Sequence, residues 1–222
     1  RNPKAHMKAA DLSLEVAGSI NDSNFCFLGN EELKPYMRLK DCSQVSDGAS
    51  AILLCSEQGL QKLQRSAESC VEIIGRGHAV GSLYTDGDLL QLHNSRAAAH
   101  QAYASAGVRA EDIDIAEVHD CFSITEIMMY EAAGFAELGK GTELVRSGAT
   151  DLDGSIPINT GGGLIGFGHP VGATGVKQVL EIYRQMKGLC GEYQVEKSCN
   201  LGLTLNMGGD DKTAVALVLK NG

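Results

Sequence analysis

The sequence has no apolar run of about 18 residues, so no membrane-spanning helix is expected. It has no basic surplus either: 19 Lys and Arg stand against 28 Asp and Glu, a formal net charge of −9. A nucleic-acid surface needs clustered cations to neutralise phosphates, and that class is set aside. A few local donors would still suffice for an anionic small ligand. Proline is scarce, with 4 residues, and no collagen period or repeat accompanies the 27 glycines. The cysteines, at 26, 42, 55, 70, 121, 190 and 199, include no C-x-x-C pair. Their odd number and irregular spacing support neither a disulfide framework nor a structural zinc site, and no metal is expected. A reducing, intracellular compartment is the expectation, with mitochondrion, peroxisome-like organelle and cytoplasm all open. The first residues, "RNPKAHM", carry no secretory pattern and no initiator Met, and the closing "KNG" is no address signal.

What the chain does have is an apolar fraction of 43 % and enough length for one sizeable core. Residues 1–40 show no firm period and read as a linker or the tail of another domain. From 46, "SDGASAILLCS" begins with helix-cap chemistry and continues into an apolar run. Helices are predicted over 57–67, 94–107 (alanine-rich, stopped at Gly107), 123–135 and 175–188. Ser123 and Glu126 could form a capping box, with Ile124, Ile127 and Met128 on the apolar side. Strands are predicted over 70–80, 112–118, 200–207 and 213–219, the last two separated by a "GGDD" turn. Residues 136–168 read mostly as loop. Alternating helix and strand followed by two adjacent strands argue for one layered α/β domain with a mixed sheet over 41–222.

Three segments could carry chemistry. "HDCF", 119–122, falls where the strand ending at Val118 turns into the next helix. Ligands gather beyond the carboxyl ends of strands in α/β sheets, and a helix N-terminus favours an anionic thiolate at Cys121. On the tetrapeptide alone, a buried small Cys121 and a hydrogen-bonded turn His119 are the plainer reading. "NTGGGLIGFGHPVGATG", 159–175, can approach a ligand closely because few side chains obstruct it. Pro170 keeps His169 out of the α region, and a histidine so held suits a general base. A merely structural glycine loop remains open. Gly208 and Gly209, in "LTLNMGGDDKT", could expose amide donors as an oxyanion site does, or simply turn between strands. His119 and Cys121 alone do not make a metal site, since further ligands are not evident.

Taken together, the segments resemble the C-terminal half of a thiolase, closest to the sterol-carrier-protein-2 type. "HDCF" marks that subgroup; "GHPVGATG", 168–175, and the late glycine turn, 206–209, are shared by thiolases. "NPKAHM", 2–7, resembles the end of the family's loop domain, and "VSDGASAILL", 45–54, the entry to its C-terminal domain. The resemblance implies an α/β domain with a five-stranded mixed sheet and helices on both sides, at 41–222, preceded at 1–40 by a remnant of the loop domain. The nucleophilic cysteine would belong to an N-terminal half that this chain does not contain, so the chain alone should be inactive. The implied activity is acyl transfer: cleavage or formation of 3-ketoacyl-CoA, with CoA thioesters as substrates and no permanent cofactor. His169 would activate the nucleophile. Cys121 would move the proton at the α-carbon, and His119 with His169 would form an oxyanion hole. Asn206, Gly208 and Gly209 would place backbone near the second. The implied partners are the N-terminal half and further copies, in a homodimer or homotetramer. Where many relatives have "HN", this chain has Leu205–Asn206. Other readings are a different condensing enzyme of the superfamily or a non-catalytic CoA- or lipid-binding protein.

Overall fold

In the computed structural model, which describes residues 41–44, 46–84, 88 and 90–222, four strands form one mixed sheet. They are β1 (Val71–Val80), β2 (Ile115–Val118), β3 (Leu201–Gly208) and β4 (Thr213–Asn221). The order across the sheet is β1-β4-β3-β2, with β4 antiparallel to both neighbours and β2 parallel to β3. The helices are α1 (Glu57–Lys62), α2 (His93–Ala106), α3 (Ser123–Ala132), α4 (Gly141–Arg146), α5 (Gly163–Phe167) and α6 (Thr174–Met186). The reading of 1–40 as a loop-domain remnant lies outside the described residues.

Strand alternation sends side chains to two cores. One face of the sheet, with Ala116, Val118, Leu203, Leu205, Ala216 and Val218, packs on α2 and α3. The other, with Ile115 and Leu219, packs on Val179, Ile182 and Met186 of α6. Helices therefore cover both sides of the sheet, as expected. Helix α2 lies close on β1 because both surfaces are small. Ala98, Ala99 and Ala102 are fully buried, and Gly75 and Gly77 leave no Cβ where the backbone of α2 passes. Glycine at alternate positions of a strand is a sequence sign of such close approach.

The expected fifth strand is not formed among the described residues. Its place beside β2 is taken by Pro157–Asn159, which makes a single parallel bridge, Ile158 to Ala116. The Ala116 N–H donates to the Pro157 carbonyl at 3.0 Å, and the Asn159 N–H to the Ala116 carbonyl at 3.0 Å. Asn159 then turns left-handed, at φ 50°, and its side chain takes over from the ladder. Oδ1 accepts from the Val118 N–H at 2.9 Å, and Nδ2 donates to Glu126 at 2.8 Å.

That last bond also corrects the reading of α3. Phe122, not Ser123, is the N-cap. The Ser123 hydroxyl donates to Asp41, and Glu126 is occupied by Asn159, so no capping box forms. Thr125, Glu126, Met129 and Tyr130 face inward, while Ile124 is 51 % exposed. The buried carboxylate bond sets the helix rotation, and the apolar count does not. A second correction concerns 46–56, which forms neither helix nor strand; Leu53 and Leu54 are exposed. The segment 136–168 holds α4 and α5 rather than loop alone.

The β1–α2 contact makes a direct prediction. Gly77→Ala should lower stability by about 3 kcal/mol, since the added methyl meets the Ala98 carbonyl of a helix that cannot shift alone. Thermal or urea unfolding measures it; a change within ~0.5 kcal/mol, the range of harmless surface substitutions, would contradict the packing described.

Candidate active site

The site lies at the carboxyl end of β2. The ladder with β3 runs through His119, whose N–H donates to the Leu205 carbonyl at 2.9 Å, and the chain then turns into α3. Asp120, in that turn, is fully buried. Its Oδ1 accepts from the Leu164 N–H at 2.7 Å, at the start of α5. Gly163 sits against the same carboxylate with φ 62°, a position where any Cβ would collide with Asp120. The glycine loop is thus seated on the HDCF turn by one acid.

Beyond α5 the loop reaches His169. Its N–H donates to Ser46 Oγ at 2.8 Å, and Gly168, at φ 95°, leaves room for that serine. Pro170 packs on Gly48. The segment at 46–48, read from sequence as helix-cap chemistry, therefore buttresses the histidine instead. On its ring, Nδ1 lies 2.6 Å from Thr174 Oγ1. The threonine hydroxyl donates its one proton to the Pro170 carbonyl at 3.2 Å. It therefore accepts from Nδ1–H, which leaves Nε2 of His169 with a lone pair.

The two turns, fifty residues apart in sequence, bring their imidazoles together. The rings of His119 and His169 stand perpendicular, with centroids 5.1 Å apart. His119 is buried and contacts Asn206 Oδ1 through Nδ1 at 2.6 Å. Burial pushes its pKa down to about 4, the neighbouring His169 adds to the lowering, and Asn206 opposes it. Burial lowers His169 as well. Both rings are neutral at pH 7.

Cys121 follows His119 by two positions on the same turn and is half-buried. Its carbonyl accepts from the Ser43 N–H at 2.8 Å, and its thiol donates to Thr125 at 3.8 Å. The expected stabilisation of a thiolate is not what results. Burial, the largest influence, raises the thiol pKa; Asp120 and Asp210 raise it further, against lowering by Thr125 and the Phe122 backbone. Gly208 ends β3 and Gly209 turns at φ 61°, so this segment is the hairpin turn that follows Asn206.

Leu205 and Asn206 separate by strand alternation. Leu205 is fully buried in the core beside Leu203, whereas Asn206 points to His119. Sequence reasoning named Asn206 for its backbone; its side chain makes the contact. Ser46 and the bridging role of Asp120 carried no signal of their own in the sequence. Among the described residues no cluster of three or more His, Cys, Asp or Glu is arranged to hold a metal. Cys55, Cys70, Cys121, Cys190 and Cys199 are free thiols, and no described helix is long and apolar enough to cross a membrane.

A family profile described as "Thiolase C-terminal domain-like" matches residues 75–221. An acetyl-CoA acetyltransferase of Methanothermobacter thermautotrophicus is 39 % identical over 180 residues, covering 80 % of this chain and 46 % of that protein. Sterol carrier protein 2 of Homo sapiens is 34 % identical over 195 residues, covering 86 % of this chain and 35 % of its own length. The solved structure of an Ltp2-ChsH2(DUF35) aldolase superposes with a TM-score of 0.67 at 18 % identity, over 99 % of this chain and 54 % of that one; it speaks for the fold alone. The chain spans less than half the length of these two curated relatives. With the profile covering the sheet, both histidine turns and the final hairpin, the chain belongs to the thiolase family through its C-terminal domain.

Proposed function

We propose that this chain is the acid–base half of a thiolase, an acyltransferase that cleaves or forms 3-ketoacyl-CoA. The observation that carries the reading is the perpendicular His119–His169 pair, 5.1 Å between ring centroids, with Cys121 on the same turn as His119. The nucleophilic thiol comes from an N-terminal half, and the chain alone does not turn over. CoA thioesters are substrates, and no resident cofactor is needed. Assembly into dimers or tetramers follows the same reading.

The chemistry is then as follows. His169 Nε2, with its lone pair free, takes the proton of the nucleophilic thiol. The thiolate attacks the keto carbon and the acyl group moves to sulfur as the carbon–carbon bond breaks. The imidazolium so formed is an Nε2–H donor for a developing oxyanion, with His119 beside it. Cys121 is a thiol at neutral pH, because burial raises it. In cleavage it gives its proton to the α-carbon of the leaving acetyl-CoA enolate; in condensation the thiolate takes that proton back. The backbone of Asn206, Gly208 and Gly209 borders the same region and serves the second oxygen site.

The test is acetoacetyl-CoA thiolysis by the chain joined to an N-terminal thiolase half. Cys121→Ala should cut turnover by roughly 10²–10⁴-fold, the usual worth of a positioned general acid–base, while acylation of the nucleophile by acetyl-CoA, which moves no α-carbon proton, still proceeds. Turnover within twofold of wild type would remove Cys121 from the mechanism. His169→Ala should slow acyl-enzyme formation itself, read as single-turnover labelling of the nucleophile; an unchanged rate would contradict its role as base.

The pH dependence has a definite sign. A base is competent above its pKa, and burial holds His169 below the ordinary histidine value of about 6.5. Acyl-enzyme formation should therefore persist as pH falls through about 6.5 and decline only at lower pH. A single-turnover profile that breaks at or above that value would show the ring is not held neutral by burial.

A further inference from the structure

The chain that enters the domain contacts both turns of the site, and it does so at the backbone of residues given the chemistry. On the first turn, the Ser43 N–H donates to the Cys121 carbonyl at 2.8 Å, and Cys42 bridges antiparallel to Phe122. The Ser123 hydroxyl donates to Asp41 at 3.0 Å. Cys42 is buried, so this end is seated in the domain rather than laid on its surface. On the second turn, the His169 N–H donates to Ser46 Oγ at 2.8 Å. That hydroxyl directs its one proton to the Gln44 carbonyl at 3.3 Å, which turns a lone pair towards the histidine. The loop is shaped for this approach. A Cβ on Gly168 would stand 2.5 Å from Ser46 Oγ, and a Cβ on Gly48 would stand 2.8 Å from Pro170.

We propose that Ser46 is a positioning residue for His169, one end of a strap whose other end, Asp41–Ser43, holds the Cys121 turn. Ser43 and Ser46 are three positions apart, and a chain cannot stretch over that span beyond roughly 11 Å. The Cys121 carbonyl and the His169 amide are therefore tied through one short piece of chain. Asp120 joins the two turns as well, but at Leu164, upstream of the histidine. The strap acts at the two residues themselves. Thr174 orients the ring of His169, whereas Ser46 fixes the backbone from which that ring hangs. The functional consequence rests on the thiolase reading above. His169 has to meet a thiol carried by the N-terminal half, while Cys121 faces the α-carbon of the same substrate. Backbone freedom at 169 would spoil the first contact without unfolding the domain, since a misplacement of about 1 Å can cost roughly 10²-fold in rate.

Two measurements test the strap. Amide hydrogen exchange on the 222-residue chain needs neither substrate nor partner. Ser46→Ala should speed exchange at the His169 amide about tenfold, the worth of one hydrogen bond, and leave the amides of β2, β3 and α6 as slow as in the wild type. Ser46→Thr keeps the hydroxyl on a half-buried residue and should keep exchange at His169 slow. In the chain joined to an N-terminal thiolase half, Ser46→Ala should slow single-turnover acylation of the nucleophile by roughly 10–100-fold, and Ser46→Thr should recover most of that loss. Unchanged exchange at His169 in Ser46→Ala, faster exchange spread evenly over the domain, or a threonine variant no better than alanine overturns the proposal. An acylation rate that Ser46→Ala leaves unchanged overturns it as well. A joined wild-type protein that shows the expected exchange pattern but forms no acyl-enzyme would refute the thiolase reading and leave the hold of Ser46 on His169 standing.

Discussion

The site depends on one buried carboxylate. Asp120 has no exposure to solvent, and an unsatisfied anion there would cost several kcal/mol, so its position is set by where donors can reach it. One such donor is the Leu164 N–H, and the approach is open only because residue 163 is glycine. Satisfying Asp120 therefore draws the glycine loop onto the end of β2. Once the loop is seated, α5 is too short to carry the chain away, and His169 emerges beside His119. The acid in "HDCF" does its part by joining two turns, between the two residues proposed for the chemistry.

The electrostatics follow from the same burial. Both imidazoles are pushed towards the neutral form and the Cys121 thiol towards the protonated form. Each shift has the direction desolvation dictates for its group, and charged neighbours are minor beside it. His119, His169 and Cys121 are therefore uncharged at rest, beside the Asp120 carboxylate. Charge would arise only when a proton moves, and in a poorly solvated place two adjacent imidazoles resist holding two positive charges at once. A pair that accepts a single proton suits chemistry in which one thiol is ionised at a time.

Much of the architecture was legible in the sequence because the relevant signals are local. β-branched runs gave β1 to β4 to within a few residues, and Gly107 ended α2 in the left-handed conformation it favours. What was not legible depended on long-range polar bonds. The inward face of α3 follows Glu126, whose partner Asn159 is thirty-three residues away, so Ile124 was assigned to the wrong side. The fifth strand shrank to one bridge because an asparagine side chain replaced backbone in the ladder. Ser46 gave no hint that it would hold His169, since a serine beside glycine reads as a cap or a turn. His119, His169 and the neighbourhood of Gly209 were picked out by motif; the atoms that orient them were not.

The departure at Leu205–Asn206 has a physical meaning once the strand is in place. Successive residues of β3 face opposite sides, and 205 is the core side. Leu205 packs with Leu203, Ala216 and Val218, so exchanging it with histidine would bury a polar ring in an apolar layer, away from His119 and His169. It would not add a third imidazole to the pocket. The substitution at 205 is thus a matter of core packing, whereas position 206 contacts His119. Asparagine offers both an acceptor and a donor on one short, rigid side chain. Leucine, serine or lysine would lack either that choice or that reach. The strand's period of two therefore assigns, within a single dipeptide, one residue to the core and the next to a hydrogen bond with His119.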